Sequence, residues 1–599
     1  MLVTRAAVLS VAALFVSSCA NIEKPAVQPF VSVTQPPAQQ EFRWSNGKAP
    51  KSFDPARASA APETDIVRAL FQGLTDIDSK TLQAVPGAAE KWTASDDLRT
   101  WTFQLRKDAK WSNGRRVTAD DFVDSWRRLT ALGDKAAHRD LFQNIVGLTA
   151  IPESAPPVGI PTGDSSHPLA NVPSRPDVPS ASQPSSDEPK HTEQKPDEHK
   201  SDKPVEKKFG VEAIDDQTLR VTLQLPDKDF PKLVADTVFR PIYGDGAEFD
   251  DDPLDDGVVT NGPFTVAEVG KDGVALKRSE TYWNKSAVGL ERIRFIPKES
   301  GEAALEAYKK GELDAVTNAD LEPLALKLLT PYEDFRQTAH GALNMYEVNT
   351  KNPPFSDRRV REALAISIDR DRLTDGELEG STQAATTFFP DGDGTHISLD
   401  VARARDLLER AGYSDGNGFP AIRLVINRND VQQRVAKAVA KMWKQNLNID
   451  TQMIVKETGE MEAVKTSGEY DLIRRGVVLP SLDEMVGLNS IIGNVVKAEP
   501  KPTADPIAPP LETPLEQRLK RGGPADSENA APSTPPVPAV MTEDDALYDF
   551  SAIPLYFPTS YSLVKPYIRG FESNSIDAVN IDQVVIDNNW QPDRSKGES

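Results

Sequence analysis

The residues that could do chemistry in this chain stand apart from one another. Of its six histidines, His167, His191 and His199 lie within one proline-rich stretch, and His138, His340 and His396 have no partner at metal-ligand or His-x-x-x-His spacing. Asp391-Gly392-Asp393-Gly394 opens like a calcium loop but lacks a third oxygen ligand and a closing Glu, so it reads as a Gly-rich turn. Asp120-Asp121 follows Thr118 where a helical pattern starts, and carboxylates placed there offset the helix dipole rather than serve as acid and base. There is no Gly-x-Ser-x-Gly elbow and no phosphate-cradling loop. The expectation is a non-enzymatic protein with no catalytic residue, no metal site and no cofactor.

The single cysteine, Cys19, excludes a disulfide framework and any Cys-based zinc site. Its position carries more. Arg5 precedes an apolar run over residues 6–16, followed by Ser17, Ser18 and Cys19. A charged start, a short apolar core and small residues form an export signal, and the run is shorter than the ~20 residues of a spanning helix. Val16-Ser17-Ser18-Cys19 resembles the bacterial lipobox, which implies cleavage before Cys19 and a lipid attached to it. The expected location is the bacterial cell envelope, on a lipid anchor. The remaining charge, 69 basic against 91 acidic side chains for a net −22, argues against a nucleic-acid surface.

Behind these residues stand elements that have to position them. At 599 residues, the chain is long enough for two or more lobes. Residues 20–40, with Pro25, Pro29, Pro36 and Pro37, read as a flexible tether. Residues 152–204 contain twelve prolines and residues 500–538 eleven, among many polar residues. Such segments cannot bury enough apolar surface to offset the entropy of ordering, so both read as disordered surface insertions. Elsewhere the pattern is mixed α/β. Trp101, Phe103 and Leu105 alternate as a half-buried strand, as do Leu219, Val221, Leu223 and Leu225. Asn261-Gly262-Pro263 signals a turn before the strand Phe264-Thr265-Val266. Val401, Ala404, Leu408 and Ala411 have helical spacing, with Gly412 at the C-terminal end. Ile422 to Ile426 reads as a strand. Val431, Val435, Ala438, Val439 and Met442 then form one helix face, and Ile449, Thr451, Met453 and Val455 a second strand: a βαβ unit with parallel strands.

The run from Trp101 to Gly114, followed by Val117-Thr118-Ala119-Asp120-Asp121-Phe122-Val123-Asp124-Ser125-Trp126, resembles the hallmark stretch of bacterial extracellular solute-binding protein family 5, which includes the oligopeptide-binding proteins. Further patches resemble the same family in its own order. These are Phe53-Asp54-Pro55, Leu70-Phe71-Gln72-Gly73-Leu74, Thr260-Asn261-Gly262-Pro263-Phe264, Tyr282-Trp283-Asn284, Asn349 with Pro354 to Leu364, Ile553 to Phe557, and Leu563 to Pro566. Together they reach across roughly residues 42–599.

The resemblance implies a class II periplasmic-binding-protein fold, α/β, with two lobes closing on ligand about a hinge. Lobe I is expected from residues 41–80 and 216–342 and, after the return, 553–599, with a subdomain over 81–215; lobe II is expected over 343–552. The crossings are expected near residues 345–349 and 555–557. The implied ligand is a peptide lying extended and pairing backbone to backbone, a mode in which main-chain bonds give affinity without reading side chains. By motif position Ser59, Ala60 and Ala61 supply one pairing segment. Residues 474–478, with Arg474, Gly476, Val477 and Val478, supply the other, and Tyr346 and Tyr556 sit on the crossing strands. The implied partners are ABC permease subunits, and the implied state is a monomer. The chain departs from the family's peptide binders in one respect. Val477 replaces their tryptophan, and Pro480 replaces the aspartate that holds a ligand's free amino group, leaving Asp483 as the nearby carboxylate that could substitute. The second insertion also replaces several helices of lobe II. A peptide receptor without a transport role is the alternative these departures leave open.

Overall fold

The computed structural model describes residues 29–148, 209–497 apart from 393, and 539–592. The leader with Cys19, both proline-rich insertions and their three histidines lie outside the described residues. Strand β1 (Glu41–Ser45) and helix α1 (Glu63–Leu70) open the first lobe. A four-stranded antiparallel sheet follows, containing β2 (Thr100–Leu105) and β3 (Thr218–Thr222) and packed on α2 (Ala119–Leu132). Strand β2 alternates as its sequence requires, burying Trp101, Phe103 and Leu105. Strand β3 pairs with β2 and ends at Thr222, so the subdomain sheet reaches past residue 215. Helix α2 starts on a capping box: the Thr118 amide donates to Asp121 Oδ2 at 2.8 Å, as does Trp111 Nε1 at 3.0 Å. Its inner face buries Phe122, Trp126 and Leu129, each contributing on the order of 1.5–3 kcal/mol on removal from water.

The two lobes share one twelve-stranded sheet. On the first-lobe side β1 pairs in parallel with β4 (Ala315–Thr317), and helix α3 (Pro323–Leu329) leads to β5 (Phe335–Ala339). His340 and Gly341 separate β5 from β6 (Ala342–Val348), the central strand of the second lobe. There β7 (Ile422–Asn427), α4 (Asp430–Leu447) and β8 (Thr451–Lys456) form the βαβ unit, with Ile422 opposite Thr451 and Asn427 opposite Lys456 in parallel register. Asn429 caps α4, and Val435, Ala438, Val439 and Met442 face the core. Strand β8 is the sheet's edge and its alternation is inverted: Met453 and Val455 stand at the surface, and Ile454 packs inward near Val425, Tyr470 and Ile473. Strand β9 (Leu472–Val478) leads to α5 (Glu484–Ile492). The long β10 (Ala552–Val564) completes the sheet.

Strand β10 belongs to both lobes. Residues 552–556 pair antiparallel with β6, and residues 559–563 pair with β5. The β5–β6 step and β10 are thus two adjacent covalent crossings, and strand pairing changes lobe at His340–Gly341 and around Pro558, a few residues from the positions read in the sequence.

The tether reading needs correction over its second half. Pro29 to Gln40 is tied to lobe I: the Val31 amide donates to Asp334 Oδ1 at 2.7 Å, and Gln40 Nε2 donates to Ile586 O at 2.8 Å. Val31 also packs on the apolar cluster of Leu329 and Phe335, one of a short apolar group with Phe30 and Val33 that the proline content obscured.

Candidate functional site

One wall of the site is organised by Gln72, which follows α1. Its backbone is clamped by the Asn261 side chain: the Gln72 amide donates to Oδ1 at 2.9 Å, and Nδ2 donates to Gln72 O at 3.0 Å. Gln72 Nε2 donates to the Tyr282 hydroxyl at 2.8 Å, and Gln72 Oε1 accepts from Trp283 Nε1 at 2.7 Å. Three sequence patches separated by some two hundred positions thereby meet at one buried side chain. Gly262 makes the approach possible, since a Cβ there would stand 2.6 Å from the Leu70 carbonyl carbon. Arg106 stacks over the Trp283 ring at 3.8 Å, and Arg240 pairs with Asp76 at 2.5 Å.

The opposite wall is the end of β9 and the residues after it. A cavity of about 320 Å³ lies between the walls, bounded by Gln72, Arg240 and Trp283 on one side, Val478 and Pro480 on the other, and Gly341 at the crossing. A second cavity of about 470 Å³ shares Lys232, Gly341, Leu479, Ser481, Ser575 and Ile576 with it. The two make one trough between the lobes, of the size and mixed polarity of small-ligand sites. Beside it, the partner strand β7 reaches only Ile473 of β9, and on the other side β6 pairs along the whole of β9. Among the described residues, no strand occupies the second edge of residues 475–478, which leaves backbone groups there open to another strand.

The remaining candidates distribute unevenly. Ser59 and Ala60 are exposed and Ala61 half-exposed, just before α1; their carbonyl side is partly taken, by His138 at Ser59 O (3.0 Å) and by the Thr64 amide at Ala60 O (3.1 Å). No described residue accepts from their amides, but they do not line the two cavities. Arg474 holds Asn344 Oδ1, Gly476 faces Asn344 across the ladder, and Val477 is buried where Val478 is exposed to the cavity. Tyr346 and Tyr556 are placed differently from expectation. Tyr346 packs against Trp443, Tyr556 accepts from Gln432 Nε2 at 2.8 Å, and both are buried, so in this arrangement neither side chain reaches the trough.

Asp483 also has another task. It is fully buried, and its Oδ1 accepts from the Val486 amide at 2.8 Å as the cap of α5. Its Oδ2 turns to Asp227 of the first lobe; both Oδ2 atoms are buried and, as carboxylates, find no donor among the described residues. Burial, and then the Asp483 charge, hold Asp227 well above the ordinary carboxylate range, while burial pushes Asp483 up to about 6. One proton shared by the pair satisfies both. The same contact carries Lys228 against Glu484 at 2.6 Å and Asn144 against Met485 at 3.9 Å, so α5 brings lobe II against the first lobe and its subdomain.

Sequence reading missed Arg240, Asp76 and Asp582, the last pushed up to about 6 by burial and the nearby Asp76 charge. No local motif marks them. Gln72, Asn261 and Trp283 lay inside recognised patches, but nothing local showed that they meet. Among the described residues no group of His, Cys, Asp or Glu could hold a metal ion, and no helix is long and apolar enough to cross a membrane.

Two α/β lobes joined by adjacent crossings, with a trough between them, define a two-lobed periplasmic-binding-protein fold. Residues 83–497 match the family described as Bacterial extracellular solute-binding proteins, family 5 Middle, and the chain belongs to that family. It is 27% identical over 552 residues to the periplasmic oligopeptide-binding protein OppA of Escherichia coli (strain K12), covering 89% of this chain and 90% of OppA. Among solved structures, the unliganded open form of the murein tripeptide binding protein MppA matches with a TM-score of 0.68 at 24% identity, covering 92% of this chain and 98% of that one. Haemophilus influenzae OppA in complex with RPPGFSPFR matches with a TM-score of 0.51 at 25% identity, covering 92% and 100%.

Proposed function

We propose that this chain is a non-enzymatic binding protein that captures extended peptides in the trough and delivers them to an ABC permease, acting as an exported monomer held to the membrane by lipid on Cys19. The observation that carries the proposal is the strand edge of residues 475–478, beyond the reach of β7, ending at Val478 in the wall of the trough. A peptide added there as a strand is read through its backbone, which suits a site that accepts many sequences. The names of the relatives point the same way.

Pro480 sets the expected specificity. It lines the trough where the family's peptide binders carry the amine-binding aspartate, and Asp483 is turned away into its helix cap. Removing one side of a buried ion pair typically costs ~3–5 kcal/mol; here no such pair forms, so the ligand's amino group contributes little. An N-acetylated peptide and its free-amine form are expected to bind within a few-fold of each other by calorimetry, using a peptide recovered by mass spectrometry from the purified protein. A loss of ~100-fold on acetylation, ~2.7 kcal/mol, overturns this reading of the site.

A further inference from the structure

Helix α3 is apolar on two faces. Leu326 and Leu329 point inward, onto the cluster of Tyr308 and Phe335. Leu324 and Leu328, one turn apart, are 68% and 65% exposed, the two most exposed large aliphatic side chains among the described residues. Lys327 between them is exposed, as is Lys309 at the end of the neighbouring helix. A soluble surface gains nothing from two adjacent exposed leucines on a seven-residue helix.

The path of the N-terminal segment says what covers them. The Glu333 amide, four residues beyond α3, donates to Pro29 O at 2.8 Å. Ser32 Oγ donates to Lys309 O at 2.8 Å, Lys565 Nζ donates to Ser32 O at 3.4 Å, and Phe30 packs edge-on against Trp590 at 5.9 Å. The described chain therefore begins beside α3, and its start is fixed there. Cys19 lies ten residues before Pro29. Even fully extended, ten residues reach at most ~33–36 Å. A lipid on Cys19 therefore keeps this end of lobe I within that distance of the membrane.

We propose that α3 rests on the lipid surface, with Leu324 and Leu328 entering the headgroup–acyl boundary, so that the body is held in one orientation above the bilayer. This rests on the lipid anchor at Cys19. Lipid chains supply the attachment, and a short apolar face adds the orientation that a flexible attachment cannot. The half-buried Phe30 and Trp590, at the point where the chain leaves, are residue types that favour such an interface.

The test uses the mature protein purified from membranes and reconstituted in vesicles of phosphatidylethanolamine and phosphatidylglycerol. Leu324→Cys, Leu328→Cys and, on the far edge of lobe II, Met453→Cys variants carry a spin label, and collision with oxygen and with a water-soluble nickel chelate is measured with and without vesicles. The expected result is that labels at 324 and 328 gain oxygen collisions and lose at least half of their chelate collisions on vesicles, while the label at 453 is unchanged. Protein that floats with the vesicles while all three labels stay equally open to the chelate overturns the α3 contact and leaves the anchor standing. Protein that fails to float overturns the anchor, and this proposal with it. Labels at 324 and 328 shielded from both reagents show a protein partner on α3, which also overturns it.

Discussion

At the residue scale, the side chain with the widest reach is Gln72. Its amide serves both the Tyr282 hydroxyl and Trp283 Nε1, and its backbone is clamped by Asn261, so one residue fixes the wall of the trough. Gln72→Ala leaves two buried aromatic polar atoms without their partner, at a cost of about 1–3 kcal/mol. The expected outcome is a lower thermal midpoint together with weaker peptide binding, measured by differential scanning calorimetry and titration. An unchanged midpoint shows that the hub does not hold the wall. Gln72, Asn261 and Trp283 were each within patches recognisable in the sequence, yet their convergence depends on a close approach at Gly262 that no local pattern encodes. Pro480 lines the cavity, as the family resemblance led one to expect of that position, and its effect on specificity rests on the acetylation test.

At the element scale, the alternation of β2, the capping box of α2 and the parallel βαβ unit follow from periodicity and could be read directly. The inverted burial of β8 could not, since which face of an edge strand is covered is decided by distant neighbours. Nor could the acid pair between α5 and the first lobe, which joins residues 227 and 483. That pair gives the lobe contact a pH dependence of definite sign. Burial pushes Asp483 up to about 6 from an ordinary 3.8, and burial with the Asp483 charge holds Asp227 well above its ordinary range. Above the ordinary range the folded protein holds protons that the unfolded chain lacks, so the contribution is fully present below 3.8 and is lost as pH rises, through about 6 at Asp483 and further up at Asp227. Asp229, Lys232, Lys228 and Glu484 face the same contact. Asp227→Asn supplies a neutral donor in place of the shared proton. The thermal midpoint of the wild type, relative to this variant, is expected to fall between pH 5 and pH 7. Parallel profiles of the two proteins across that range contradict the shared proton.

At the scale of the whole molecule, the two insertions leave and return at single points. The Gly210 amide donates to Val146 O at 2.7 Å beside the first, and Lys497 donates through its amide to Ala539 O at 2.8 Å beside the second. Closing either gap therefore requires only a short linker. Deleting 152–204 and 500–538, each replaced by a few Gly/Ser residues, is expected to leave the thermal midpoint nearly unchanged, whereas a collapse of folding contradicts their reading as surface insertions. The joining of the lobes was not legible from composition: it depends on β10 serving two half-sheets, and only the family resemblance pointed to it.

The central claim is that the open edge of β9 receives a peptide as an added strand. Hydrogen exchange at the amides of residues 475–478, followed by mass spectrometry with and without a bound peptide, tests it most directly. Strand addition predicts that exchange slows by at least tenfold at those amides that face away from β6, while the far edge strand β8 is unaffected. A peptide that binds and leaves the exchange of 475–478 unchanged contradicts the account.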